Sequence, residues 1–326
     1  MSPRSIGIPL VLALGGLALI FEPGWAPACV GLALATAFIP WMAAWRGARG
    51  TELRPAVSWG GLALLIGLIS QGVAGIESLD SGRPMAGHLV YLSVLASFAA
   101  LISVLNARRP GGGAWAILMA LLVLVFLIPW LEGPGWARKA QGLSRLRLDA
   151  PWSLFYALVV IAGVTNYLPT RYGRAAAWLG FGFVCEYFAL TRSDLRLNYG
   201  ARLWSVIPWS LAVSAWTAFR SAEQVDRARR GRDSTWLWFR DHWGVVWALR
   251  LQERFNRTAE TLGWPLRLVW DGIVPVSGAS DEDVSAVLPA ADTTLKGLLR
   301  RFADPDRIER TRASGPSDSC QPGGGE

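Results

Sequence analysis

The sequence predicts an all-α membrane protein: a bundle of about eight transmembrane helices followed by a small cytoplasmic tail of α or α+β type. Three observations predict it. The stretch Ala114–Leu131 is uncharged and mainly apolar, has a Trp near each end, and is long enough to cross a bilayer's hydrocarbon core. Weaker apolar stretches of similar length lie on both sides of it. The charges are divided unevenly. Residues 1–219 hold 16 Lys+Arg and 8 Asp+Glu, while residues 220–326 hold 16 of each, so the whole net charge of +8 belongs to the apolar part. Only 17% of the chain is charged, against ~25% in soluble domains. Short basic loops between apolar stretches are what anionic headgroups select. Nucleic-acid binding would want a basic cluster on a folded surface, and the neutral tail argues against it.

The first apolar run is Met1–Ile20, read as a retained helix. The alternative is a cleaved signal peptide ending near Ala26-Pro27-Ala28-Cys29, but apolar sequence resumes at once from Val30 to Trp45. Glu22-Pro23-Gly24 makes the turn between the two, and Gly31 with Ala35 forms a small-xxx-small pair suited to close helix contact. Pro55 opens a third helix over about Ala56–Ile76, with Gln71 as its strongly polar interior residue. After the slightly acidic loop Glu77–Gly87, a fourth helix runs from about His88, an interfacial residue in this reading, to Asn106. Arg108, Arg109 and a Pro-Gly-Gly-Gly break lead into Ala114–Leu131.

The connection Glu132–Ala150 carries Arg138, Lys139, Arg145 and Arg147 between leucines, which suits a short interfacial helix. Asp149 and Pro151 signal the start of a sixth helix, about Pro151–Leu168, that Pro169 stops. Two more follow: about Ala175–Leu190, containing Glu186, and about Ala201–Phe219, with Pro208 inside. Residues 1–219 therefore form the transmembrane domain, residues 220–310 a cytoplasmic tail, and residues 311–326 a disordered terminus. In the tail a helix over about Thr235–Leu262 ends at Gly263, a C-cap. Trp264–Trp270 reads as a short strand, and a second helix covers about Asp292–Phe302.

With the N-terminus inside and eight crossings, the inner side carries 13 Lys+Arg and the outer side 8, counted to Arg232, which places both termini in the cytoplasm of a bacterial-type inner membrane. The 18 tryptophans mostly fall at predicted interfaces (Trp25, Trp45, Trp59, Trp115, Trp130, Trp152, Trp204) and read as anchors.

No catalytic motif is present: no phosphate-cradling loop with Lys and Ser/Thr, no nucleophile elbow, no His-Glu-x-x-His. Cys29, Cys185 and Cys320 have neither metal nor disulfide spacing, and with only His88 and His242 no metal or cofactor site is expected. Glu186 is the one acidic residue well inside an apolar segment, which makes it a proton or cation candidate, with Arg192 or Arg202 as a possible ion-pair partner. The plainer reading is a carboxylate that reaches interfacial water. Gln71, Asn106 and Asn166 suit hydrogen bonds between helices. Asn166, Tyr167, Arg171 and Arg174, with Tyr172, could hold a phosphate or carboxylate headgroup, or form a positive-inside loop with its aromatic belt.

In the tail, Trp236, Trp243 and Trp247 fall on one helical stripe with Arg240 and Arg250 on or beside it. That mix predicts a helix that lies on the membrane surface or covers the inner end of the helix bundle, with a core helix packed on Trp264–Trp270 as the alternative. The leading functional expectation is a non-catalytic accessory, assembly or anchoring subunit. Its partners are the lipid bilayer and a protein that meets the tail. The alternatives are a secondary transporter coupled through Glu186, with broken helices near Pro169 and Pro208, and a lipid-modifying enzyme using Glu186 and Asn166–Arg174.

Overall fold

A computed structural model describes residues 3–20, 24–77, 85–107, 117, 120–121, 123–128, 130–131, 148–228 and 233–313. The expectations for the Glu132–Ala150 connection, the acidic loop, Arg108 and Arg109, and most of the disordered terminus lie wholly or largely outside these residues. Among the described residues the fold is all-α apart from one small hairpin, and the chain divides into two compact units.

The first unit holds α1 (Pro3–Ile20), α2 (Ala26–Gly47), α3 (Arg54–Glu77), α4 (Met85–Asn106), α5 (Ala150–Thr165), α6 (Gly173–Thr191) and α7 (Ser193–Ala228) up to Ser221. Residues 123–128, inside the expected span Ala114–Leu131, are helical as well. Among the described residues α2, α3 and α4 are long and apolar enough to cross a membrane; the apolar cores of α1 and α5 are shorter, Ile6–Ala18 and Ala150–Thr165. α7 is longer than its apolar run predicted. It starts at Ser193, so a single residue, Arg192, stands where a basic loop was expected, and it continues through Pro208 without a break.

Each helix packs with the side that its small and apolar residues define. On α2 the buried set is Ala26, Pro27, Val30, Ala33, Leu34, Ala37 and Pro40, which recurs every three to four residues. The small pair at its contact face is therefore Ala33 and Ala37, both fully buried, rather than Gly31 and Ala35. A Cβ on Gly31 would meet Gln71 Cβ at 3.7 Å, an ordinary contact, so glycine is not required there. Two other glycines are tighter. Trp209 on α7 lies over Gly15 of α1 and Trp216 over Gly7, where any Cβ would overlap the indole. The Trp209 indole also donates to the Val11 carbonyl at 2.8 Å.

Several inter-helix hydrogen bonds follow this pattern of side-chain donor to main-chain acceptor. Trp41 Nε1 donates to the Val57 carbonyl at 2.8 Å, Ser93 Oγ to Ala63 at 2.7 Å, and Ser214 Oγ to Ala175 at 2.8 Å. Each is worth on the order of 0.6 kcal/mol in a membrane. Gln71, expected in this role, is buried but donates to its own neighbour Ser70 at 3.3 Å. His88 lies one turn inside α4 and is only 2% exposed.

The second unit combines the tail from Ala222 with two short stretches from earlier in the chain, Gly50–Glu52 and Ala107–Pro110. Beyond the end of α7 it contains α8 (Ser234–Thr261), β1 (Leu266–Val269), β2 (Gly272–Pro275), α9 (Asp281–Leu299) and α10 (Pro305–Ala313). The strands pair antiparallel, Leu266 opposite Pro275 and Val269 opposite Gly272. α8 ends as the sequence predicts. Gly263 has φ +67°, its N–H reaches the Glu260 carbonyl at 3.2 Å, and the Trp264 N–H reaches Ala259 at 2.9 Å, a Schellman closure. α8 is interrupted at Gly244 (φ 76°, ψ −175°), a conformation open to glycine.

α9 begins eleven residues before the expected position. Ser280 caps it, its Oγ accepting from the Asp283 N–H at 3.1 Å, and three acidic residues fill its first turn. Lys296 bridges Asp292 on α9 at 3.2 Å and Glu309 on α10 at 2.9 Å. The core is aromatic. Phe302 sits against Phe239, Trp243 and Trp247 at centroid distances of 4.8, 5.8 and 5.2 Å. Leu266 and Leu268 close it from β1, and Ala291, Leu295 and Leu299 from α9. Asn256 takes the place of a neighbouring strand for β1, donating to the Leu268 carbonyl at 2.9 Å and accepting from its N–H at 2.7 Å.

Candidate functional site

Glu186 lies on α6 with no solvent exposure. α4, α5 and α6 build its surroundings by simple spacing. Tyr91 and Phe98 are seven residues apart on one face of α4, Phe183 is three residues before Glu186 on α6, and Tyr156 faces them from α5. Phe98 meets Tyr156 and Phe183 edge-on, both at 4.9 Å, and Phe126 at 5.7 Å. Tyr156 is 2.8 Å from Glu186 Oε2 and 3.0 Å from the Phe183 carbonyl. Tyr91 donates to the Phe126 carbonyl at 2.7 Å.

Donor counting constrains this cluster. A phenol carries one hydrogen, so Tyr156 serves either the carboxyl or the carbonyl. Both short contacts become hydrogen bonds when the carboxyl brings a proton and donates it to Tyr156, which then donates to Phe183. Among the described residues Glu186 Oε1 has no hydrogen-bond partner. The cluster can therefore hold and orient a proton inside an aromatic wall. The expected ion pair is not formed with Arg192, whose side chain is exposed; the side chain of Arg202 lies outside the described residues. Glu186 does not reach interfacial water, because the rings around Tyr156 close over it. The nearby cavity beside Pro208, lined by Ser93, Ser97, Phe183 and Ser210, has about 10 Å³, room for about one water. Tyr156 and Tyr91 were legible only as two phenols inside apolar stretches. Counting carboxylates and amides as the interior polar groups passed over them.

The Asn166–Arg174 segment is a compact turn between α5 and α6. Tyr167 and Leu168 N–H groups both reach the Val164 carbonyl, at 3.0 and 3.2 Å, and Thr170 Oγ1 donates to the Tyr167 carbonyl at 2.7 Å. Gly173 is required, since a Cβ there would overlap the Leu168 carbonyl. Asn166 is buried and Arg174 exposed, while the Arg171 guanidinium lies over the Tyr172 ring at 4.8 Å. Arg174 and Glu186 are twelve residues apart on one helix, about 18 Å along its axis at 1.5 Å per residue, so they do not form one active site.

In the tail the stripe faces inward. Trp236 and Trp243 are fully buried, Trp247 is 8% exposed and Arg240 2%. The surface-helix expectation is corrected for these residues because Phe302 and β1 supply an aromatic and aliphatic core that covers them. Arg240 is held by charge and ring together. Its Nε and Nη2 both donate to Asp241 Oδ1, at 3.0 and 2.8 Å, its Nη1 donates to the Trp270 carbonyl at 2.9 Å, and its Cζ lies 4.8 Å from the Trp270 ring centroid. Arg250 alone of the five is exposed, stacked on Trp247 at 5.2 Å. Among the described residues no group of three His, Cys, Asp or Glu is placed to hold a metal ion. No protein-family model, no curated protein and no solved structure matches this chain.

Proposed function

We propose that this chain is a multi-pass membrane protein that works by anchoring and docking rather than by catalysis. In this reading the first unit crosses a bacterial-type inner membrane about eight times with both termini in the cytoplasm, and the second unit presents a folded surface to a protein partner. The observation that carries the reading is the state of Glu186. A coupling carboxylate needs a path to water and a partner that changes during the cycle. Glu186 is instead fully buried and committed to Tyr156. The orientation is supported by the make-up of the second unit: Gly50–Glu52, Ala107 and the tail belong to one compact body, and the charge count assigns all three stretches to the inner side. Topology reporters fused after Phe219 and inside the loop 77–87 are expected to report opposite sides. The same side for both would overturn the eight-crossing arrangement.

A second reading, a proton-coupled transporter, is favoured by one observation, the unpartnered Oε1 of Glu186. Proteoliposomes separate the two. With an imposed pH gradient and a membrane potential, vesicles carrying the full-length protein are expected to equilibrate no faster than empty ones. A protein-dependent proton flux that Glu186→Gln abolishes would replace anchoring with transport.

A further inference from the structure

The exposed flank of α8 beside the buried stripe is not plain solvated surface. After the break at Gly244, Arg250, Arg254 and Arg257 follow at i, i+4 and i+7 on one exposed side. They border a cleft of about 350 Å³, completed by Arg301 just past the end of α9 and floored by Trp247 and Phe302. One acidic residue enters it, Glu253, which Arg257 engages at 2.8 Å. Among the described residues no carboxylate pairs with Arg250, Arg254 or Arg301, so the cleft carries a net charge of +3 on four arginines and one glutamate. The Arg250 guanidinium is already oriented by its place over the Trp247 ring, which lowers the cost of ordering it around an anion.

We propose that this cleft binds the phosphate headgroup of an anionic phospholipid. Two observations choose a lipid over a soluble anion. The wall of the cleft is pinned by main-chain bonds to the stretch that joins α2 and α3. The Glu52 N–H donates to the Phe302 carbonyl at 3.0 Å, and Thr51 bridges Ala303. α3, a helix long and apolar enough to span, begins at Arg54. Glu52 of that wall is two residues from Arg54, so the chain that joins the cleft wall to a candidate span is at most about 7 Å long. The second observation is the pair Val246 and Leu249, 38% and 52% exposed on the same α8 surface, next to the arginine row. Aliphatic residues beside arginines, over an indole floor, match the layering of acyl chain, glycerol and phosphate. The inference rests on α2 and α3 being membrane spans, and it is independent of Glu186.

The test uses the full-length protein in a non-ionic detergent, titrated with short-chain phosphatidylglycerol, short-chain phosphatidylcholine and inorganic phosphate. Saturable binding of phosphatidylglycerol is expected, with the other two at least tenfold weaker. Losing two arginine contacts at ~1 kcal/mol each predicts about thirtyfold weaker phosphatidylglycerol binding for the Arg254→Gln/Arg301→Gln double variant. Arg267→Gln, which removes an exposed charge on β1 away from the cleft, should bind as wild type. Arg254→Gln alone, expected near fivefold, serves if the double variant fails to melt cooperatively. Absence of saturable binding, or equal loss in Arg267→Gln, would overturn the proposal. So would an Arg254→Gln variant that binds as wild type. Inorganic phosphate binding as tightly as the lipid would overturn the lipid as occupant and leave a soluble phosphate in its place. Because the probes are soluble, a failed titration is distinct from a failed topology, which the reporters read.

Discussion

Trp243→Ala is expected to destabilise the second unit by about 3–5 kcal/mol, the range for emptying a buried Trp site. The ring is fully buried, stacked on Phe239 at 5.1 Å and tilted 21°, and set against Trp238 at 5.2 Å. Its indole N–H donates to the Ala107 carbonyl at 3.0 Å, so the same change leaves that acceptor without its donor. Limited proteolysis of the full-length protein in detergent should then cut within residues 222–313 while the helical unit survives. Trp243→Phe retains the ring and loses the donor, and should cost about 1 kcal/mol. A Trp243→Ala protein as protease-resistant as wild type would mean that the residue faces outward, as the surface-helix reading had it.

Asp241→Ala should cost a similar amount, about 3–5 kcal/mol, for a different reason. The side chains of Arg240 and Asp241 are 3% and 1% exposed, and Asp241 Oδ1 accepts two of the guanidinium's bonds. Without the carboxylate the cation stays buried, with Asp271, itself 86% exposed and 3.3 Å away, as the remaining acidic contact in that network. The expected readout is a lower thermal midpoint for the second unit. Asp271→Ala should shift it far less, since an exposed partner contributes ~1 kcal/mol or less. Replacing both members, as Arg240→Met with Asp241→Leu, should recover most of the loss, because an apolar pair leaves no charge behind. If Asp241→Ala is neutral, the pair is not buried.

These two sites mark what the sequence could and could not disclose. The apolar runs of α2, α3 and α4 were legible because each exceeds the length a bilayer demands with almost no charge. Gly263 was legible because a left-handed cap after a periodic run has few other residues to choose from. The stripe of Trp236, Trp243 and Trp247 was legible as a stripe, but periodicity names a face without naming what covers it. The cover came from Phe302 and from β1, distant in sequence. The second strand was missed although Trp270-Asp271-Gly272 carries a hairpin signal. The early start of α9, which carries Pro289 inside it, was missed although Ser280 with Asp283 was an available cap signature. For Glu186, its place inside an apolar segment was readable and its complete burial was not. Its Tyr156 partner, thirty residues away on another helix, needed three dimensions.

The inclusion of Gly50–Glu52 and Ala107 in the second unit has a consequence for biosynthesis. A ribosome makes these stretches long before it reaches α8, yet their partners, Phe302, Asp304 and Trp243, lie more than a hundred residues downstream. Contacts of such high sequence separation close late and slowly. These early stretches must wait for their partners while the helices between are made, and a later segment of the second unit fastens them. A chain interrupted anywhere before Phe302 therefore leaves Thr51, Glu52 and Gly50 without their main-chain partners, a signature by which a cell's proteases can tell an unfinished copy from a complete one.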